Sequence, residues 1–174
     1  MKNILTILVS VAIILSLASS CKKEKMPDAL PPITTEGKGT FGCKINGEIW
    51  IPKTQDEFLG NNFDLYANYD DASHVIDIFA SKRYGEFNEG FAVYIWRPTM
   101  TGLQDTARII IDFQNRKTSL ELFSNLTVRN LTKLEISRFD MTNRIASGTF
   151  EGVLIKESEN DTLRITEGRF DVRF

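Results

Sequence analysis

Thr40-Phe-Gly-Cys-Lys-Ile-Asn-Gly-Glu-Ile-Trp-Ile-Pro52 reads as two short β-strands around a turn. Asn-Gly suits the two positive φ angles of a two-residue hairpin, so Asn46-Gly47 is the strongest local turn in the chain. The flanking runs carry aromatic and β-branched residues, which favour strands. Pro52 has no N–H to give to a ladder and ends the second strand.

The same texture continues outward. Gly60-Asn61-Asn62 is a turn, after which Phe63, Leu65, Ala67 and Tyr69 alternate with Asp64, Tyr66 and Asn68, the pattern of a half-buried strand. Asp70-Asp71 turns the chain into 74–81, where Ile76, Ile78 and Ala80 share a face. Residues 91–96 are apolar on both faces, which predicts a central strand, and Pro98 and Gly102 close it. Further strands are expected over 107–113, 120–123, 131–139, 144–156 and 162–174. In the last of these the apolar residues switch from odd positions (Leu163, Ile165) to even ones (Phe170, Val172, Phe174). One inserted residue restores a single face, so a β-bulge is predicted at Glu167-Gly168. The one helix-like stretch, 54–59, is at most a turn or two. About ten short strands without alternating helices predict an all-β fold, an antiparallel β-sandwich, with a barrel-like arrangement as the alternative.

The N-terminus has a different character. Lys2 precedes an apolar run over 4–17, broken by Thr6, Ser10 and Ser16. That run suits the core of a signal peptide and falls short of the ~20 residues a spanning helix needs. Ala18-Ser19-Ser20 are small, and Cys21 follows. The stretch resembles the lipobox of bacterial lipoproteins, although Ala18 stands where Leu is commonest. The resemblance implies that residues 1–20 are a signal peptide and that Cys21 is lipidated. One acyl chain such as palmitate holds marginally at ~0.8 kcal/mol per buried methylene, and two or three hold firmly. Residues 21–38 then read as a flexible tether, charged at Lys22-Lys23-Glu24-Lys25 and stiffened by Pro27, Pro31 and Pro32. Residues 39–174 form a single domain. Lys22 stands where an aspartate holds many lipoproteins at the inner membrane, so the expected location is the outer membrane, its facing undetermined.

Once Lys2 is removed with residues 1–20, 20 basic and 23 acidic residues remain. That balance gives no basic footprint for nucleic acid. With Cys21 carrying lipid, Cys43 has no disulfide partner and reads as a small core residue. No phosphate loop, nucleophile elbow or Cys-x-x-Cys pair occurs, and no cofactor or metal is expected.

The hairpin above, with Ser147-Gly-Thr-Phe-Glu151 and Ile165-Thr-Glu-Gly-Arg-Phe-Asp-Val172, resembles a family of small Gram-negative lipoproteins of unknown function. The resemblance implies a lipobox, a polar tether and one all-β domain in the cell envelope. It brings no catalytic residue and no substrate.

Several residues are candidates for chemistry. Tyr66, Asp70, Asp71 and His74 are weak ligand-binding candidates: Tyr66 is aromatic on the polar face of its strand, and the others cluster at a strand edge. The ordinary reading of Asp70-Asp71 is a turn, where aspartate bonds its own backbone. Cys43 and His74 would form a nucleophile–base pair only if the fold joined them. Trp50, Trp96, Tyr66, Tyr69 and Tyr94 are candidates for a sugar-stacking platform, set against the ordinary role of large rings in sandwich cores. Asn125-Leu-Thr127 and Asn130-Leu-Thr132 match the eukaryotic N-glycosylation pattern, a coincidence behind a lipobox. Asp105-Thr106-Ala107 and Asp161-Thr162-Leu163 resemble bacterial O-glycosylation acceptors. The expectation is a non-catalytic binding or structural module, anchored to the membrane by lipid, with an envelope protein or a glycan as partner. The alternative is a hydrolase of glycans or envelope polymers that uses paired carboxylates.

Overall fold

The structure, a computed structural model, describes residues 29–54, 64–84, 87–116, 120–156, 158–159 and 161–174. The lipobox at Cys21, the first part of the expected tether and nearly all of the helix-like stretch 54–59 lie outside the described residues.

Asn46 and Gly47 take φ of 51° and 90°, the two positive values that the hairpin requires. They join β1 (Thr40–Ile45) to β2 (Glu48–Trp50), with Cys43 opposite Trp50. There follow β3 (Lys53–Thr54), β4 (Leu65–Asp70), β5 (Val75–Tyr84), β6 (Phe87–Trp96) and β7 (Gly102–Leu103). Next come β8 (Ile109–Arg116), β9 (Leu120–Ser124), β10 (Lys133–Asp140), β11 (Ile145–Lys156) and β12 (Asp161–Arg173). The described helix amounts to two 3-10 turns, Thr106–Arg108 and Arg129–Leu131.

The strands form one hydrogen-bonded network in the order β2-β1-β12-β11-β9-β8-β6-β5-β3, with β10 on β11, β7 on β10 and β4 on β5. Every pair is antiparallel except the two-residue β3–β5 contact, and the sheet does not close into a barrel. Between β11 and β9 the ladder narrows to one pair, Ile155 opposite Ser124. The sheet folds over at this seam into two leaves. The first leaf holds β1, β2, β7, β10, β11 and β12; the second holds β3 to β6, β8 and β9. Aromatic rings lock the leaves together. Trp50 lies 4.8 Å from Phe91, Phe41 5.7 Å from Phe91, and Tyr69 5.6 Å from Phe139, between ring centroids. Ile76, Ile78, Val93, Ile111 and Leu134 are fully buried among them. Each such side chain contributes roughly 1.5–3 kcal/mol on burial.

The predicted bulge is present. Between Phe150 and Gly152 of β11 the chain advances two residues while β12 goes from Gly168 to Ile165, three. The same slip occurs against β1, and Glu167 sits at φ 53°. Beside it, Gly168 faces Phe150 and Gly148 faces Phe170. A Cβ on Gly168 would lie 2.5 Å from the Phe150 carbonyl and 2.6 Å from its ring, and one on Gly148 would lie 2.4 Å from the Glu135 carbonyl. The two Gly-x-Phe runs are therefore reciprocal: each glycine vacates the space that the other strand's phenylalanine fills.

The described end of the expected tether is bound to the domain. Asp171, only 1% exposed on the outward face of β12, accepts the Thr34 hydroxyl at 2.5 Å. It also accepts the N–H groups of Glu36, Gly37 and Lys38 at 3.1, 2.7 and 3.1 Å, and the Ser147 hydroxyl at 2.7 Å. Arg138 donates to the Thr35 carbonyl, Arg169 to that of Pro31 and Arg173 to that of Glu36. Residues 30–38 thus form a strap across the outward face of the first leaf, and this part of 21–38 belongs to the domain.

Candidate functional site

The outward face of the second leaf is built differently. On β5, Ile76, Ile78 and Ala80 point into the core, which turns Asp77 and Phe79 outward. On β6, Phe91, Val93 and Ile95 point inward, which turns Ala92, Tyr94 and Trp96 outward. Register then assembles rows across the strands. Tyr66, Phe79, Ala92 and Asp112 form one row, and Asn68, Asp77, Tyr94 and Ile110 the next.

Four rings touch in sequence along this face. Tyr66 stacks on Phe79 at 6.4 Å, Phe79 meets Tyr94 edge-on at 5.8 Å, and Tyr94 meets Trp96 at 6.0 Å. Tyr66 is 48% and Phe79 39% exposed, so these rings are surface and not core. Beside them lies a groove of about 300 Å³. Its floor is the backbone of β6, where the outward positions are Gly90 and Ala92. Small residues on the central strand, between Phe79 on one side and Asp112 and Gln114 on the other, create the depression.

The face around the groove carries perturbed acids. Burial raises the pKa of Asp112, against a hydrogen bond from Ser124 that lowers it. Its Oδ1 is buried and takes no hydrogen bond from the described residues. Burial also raises Asp77, with the Asp70 charge adding to it, and raises the Tyr94 phenol, with Asp112 and Asp77 adding. Burial and like charge thus act together on one patch, as they do at ligand sites. A larger cleft of about 480 Å³ opens between the leaves at one end. There Glu89 already accepts the Trp50 indole at 2.9 Å and Glu121 pairs with Lys156 at 3.1 Å.

The sequence candidates divide clearly. Tyr66, Tyr94 and Trp96 come together on the face. Trp50 and Tyr69 turn into the core, because their strands pair with those parities inward. Asp70 accepts the N–H groups of Ala72 and Ser73 and so builds the β4–β5 turn, which lowers its pKa. Asp71 is exposed in that turn. His74 closes it at φ 56°, its Nδ1 3.2 Å from the Tyr69 hydroxyl. Cys43 is fully buried beside Trp50, with its thiol pKa pushed up by burial, and is not brought to His74. Asn125 is fully buried, with its side-chain Oδ1 accepting from the Ile111 N–H at 2.9 Å, which gives it a structural role. Thr162 is exposed and Thr106 half-buried. Among the described residues no group of three or more His, Cys, Asp or Glu is placed to hold a metal. Among them, too, no helix is long and apolar enough to cross a membrane.

Phe79 and Asp112 escaped the sequence reading. Phe79 had a visible signal, being apolar at an outward position of a strand whose other face is Ile76, Ile78 and Ala80. Asp112 had none, since its value comes from the groove around it. Compared with family models, curated proteins and solved structures, the chain matches none of them.

Proposed function

We propose that this domain is a non-catalytic glycan-binding module that uses the outward face of β4, β5, β6 and β8. The carrying observation is the contiguous row Tyr66–Phe79–Tyr94–Trp96, exposed at Tyr66 and Phe79 and half-buried at Tyr94 and Trp96, beside a groove floored by Gly90 and Ala92. Sugar rings present C–H faces that stack on aromatic rings, while their hydroxyls need acceptors at the rim. The Asp112 carboxylate and the Gln114 amide, both lining the groove, supply rim groups. An exposed apolar patch rimmed by polar groups is the signature of a binding surface. Carboxylates within the patch disfavour nucleic acid.

The hydrolase reading has one observation behind it, the two raised carboxylates Asp77 and Asp112. Asp112 lines the groove and Asp77 lies outside its lining, one row further along the face. A glycosidase needs two carboxyl groups facing one bond about 5–10 Å apart, and the groove lining offers Asp112 alone, which suits gripping a sugar better than cleaving one.

A glycan array probed with the detergent-solubilised full chain tests the proposal. Binding to at least one glycan class that Tyr94→Ala reduces tenfold or more supports it. Wild-type binding to no glycan overturns it, and capture of envelope proteins through the same rings would assign the face to a protein partner.

The proposal extends to position. Cys21 carries the lipid, the chain belongs with the lipoprotein family that its motifs resemble, and it sits at the outer membrane. Membrane fractionation and intact mass of wild type and Cys21→Ala check this. Release of the variant supports the anchor, and retention of the variant in membranes contradicts it.

A further inference from the structure

The groove has two chemically distinct ends. At one end lie Phe79, Tyr94 and Asp112, with Asp77 beside Tyr94 in the next row of the face. At the other, register aligns Arg83, Asn88 and Arg116 in a single outward row across β5, β6 and β8. All three line the groove, and both arginines are exposed. Between the ends lies the Ser81, Gly90 and Gln114 row. The two arginines flank one strand, so their Cα atoms are ~10 Å apart, and the Arg row is ~14 Å along the strands from Asp112. From Asn88 to Trp96 the face extends ~27 Å, which is a length for an oligosaccharide and too long for one sugar.

Resting on the glycan reading, we infer that the ligand is an oligosaccharide bearing one anionic substituent, a carboxylate or a sulfate, held between Arg83 and Arg116 while its neutral sugars lie on the rings. Guanidinium forks match planar oxyanions, and each can give two parallel hydrogen bonds. The opposite sign of Asp112 and Asp77 sets direction: an anion at the aromatic end meets raised-pKa carboxylates, and at the other end it meets arginine. The groove is therefore polarised and fixes which way the chain lies. A uniformly acidic polymer fits poorly, because its charges would fall on Asp112 and Asp77 as well.

The test uses tetrasaccharides of glucose, galactose and mannose in matched forms: neutral, carrying one terminal uronate, and carrying one terminal 6-sulfate. The full chain in detergent is titrated with each at low and at moderate salt. The expected result is that the backbone that binds does so at least tenfold tighter in an anionic form. Moderate salt erodes that gain, and Arg83→Gln with Arg116→Gln brings the anionic and neutral forms to equal affinity. The uronate and sulfate arms identify the substituent. Equal binding of neutral and anionic forms overturns the inference and leaves the platform standing. Binding of no tetrasaccharide, with an empty glycan array, overturns both readings together.

Discussion

The two outward faces of the sandwich are made from the same kind of strand and treated in opposite ways. The first leaf turns Arg138, Ser147, Asp171, Arg169 and Arg173 outward, and the chain lays its own residues 30–38 over them. The second leaf turns Tyr66, Phe79, Tyr94 and Trp96 outward, together with exposed Leu120 and Leu122, and the described chain leaves them open. Covering the polar face satisfies a buried carboxylate. Leaving the apolar face open forgoes burial that the strap would have gained by lying there. The difference teaches that the aromatic exposure is not a shortage of chain to cover it, which is why we assign it a ligand.

The largest expected effect comes from breaking the covered face. Asp171→Ala leaves the Thr34 and Ser147 hydroxyls and three strap N–H groups without their acceptor. Loss of a buried charged acceptor of this kind costs about 3 kcal/mol or more. Urea denaturation should show that loss, and limited proteolysis should cut near residues 34–38 in the variant alone. The same group sets an acid limit. Burial by itself would raise the Asp171 pKa, but hydrogen bonds from Thr34, Ser147, Lys38 and Gly37 lower it to about 2. A carboxylate depressed in the fold stabilises fully above its unfolded pKa of ~3.9. That stability is then lost as pH falls toward 2. Asp171→Asn should flatten the acid limb of stability measured between pH 5 and pH 2.

Next is the seam of reciprocal glycines. Gly168→Ala must push the Phe150 ring and carbonyl aside, and overpacking of this sort costs about 1–3 kcal/mol. Thermal unfolding should fall accordingly, with the groove unaffected once folded. The open face should behave in the reverse manner. Tyr94→Ala or Ala92→Trp should cost less stability than the Asp171 change, since both sites lie half-buried on the outward face and not in the core. Each should nevertheless abolish most glycan binding, one by removing a ring and the other by filling the floor. Binding should also weaken as pH falls into the carboxylate range, because a protonated Asp112 no longer accepts as an anion. Its raised pKa places that loss above the pH at which an ordinary aspartate would protonate. The smallest effect is at His74, held at φ 56°. His74→Gly should be neutral or slightly stabilising and should leave ligand binding unchanged.

What could be read in advance was whatever is local. Asn46-Gly47 declared its hairpin, and the parity switch between Ile165 and Phe170 declared the bulge, because both are written within a few residues. The strap has the sequence of a tether, because Pro31-Pro32 and the charges before it look solvated while its partners Asp171 and Arg169 lie more than 130 positions away. Trp50 and Trp96 look alike in sequence, since each sits in a short apolar run. Only strand pairing sends Trp50 to the core beside Phe91 and Trp96 to the surface beside Tyr94. Two-residue strands such as β3 and β7 carry too little pattern to be seen at all.

The most direct measurement is an NMR titration of the full chain in detergent with a glycan selected on the array, followed residue by residue on both faces. The account predicts shift changes at Tyr66, Phe79, Ala92, Tyr94 and Asp112, with Ser147, Asp171 and the strap unmoved. Changes centred on the strap face, or saturating binding that leaves the second leaf untouched, would contradict it.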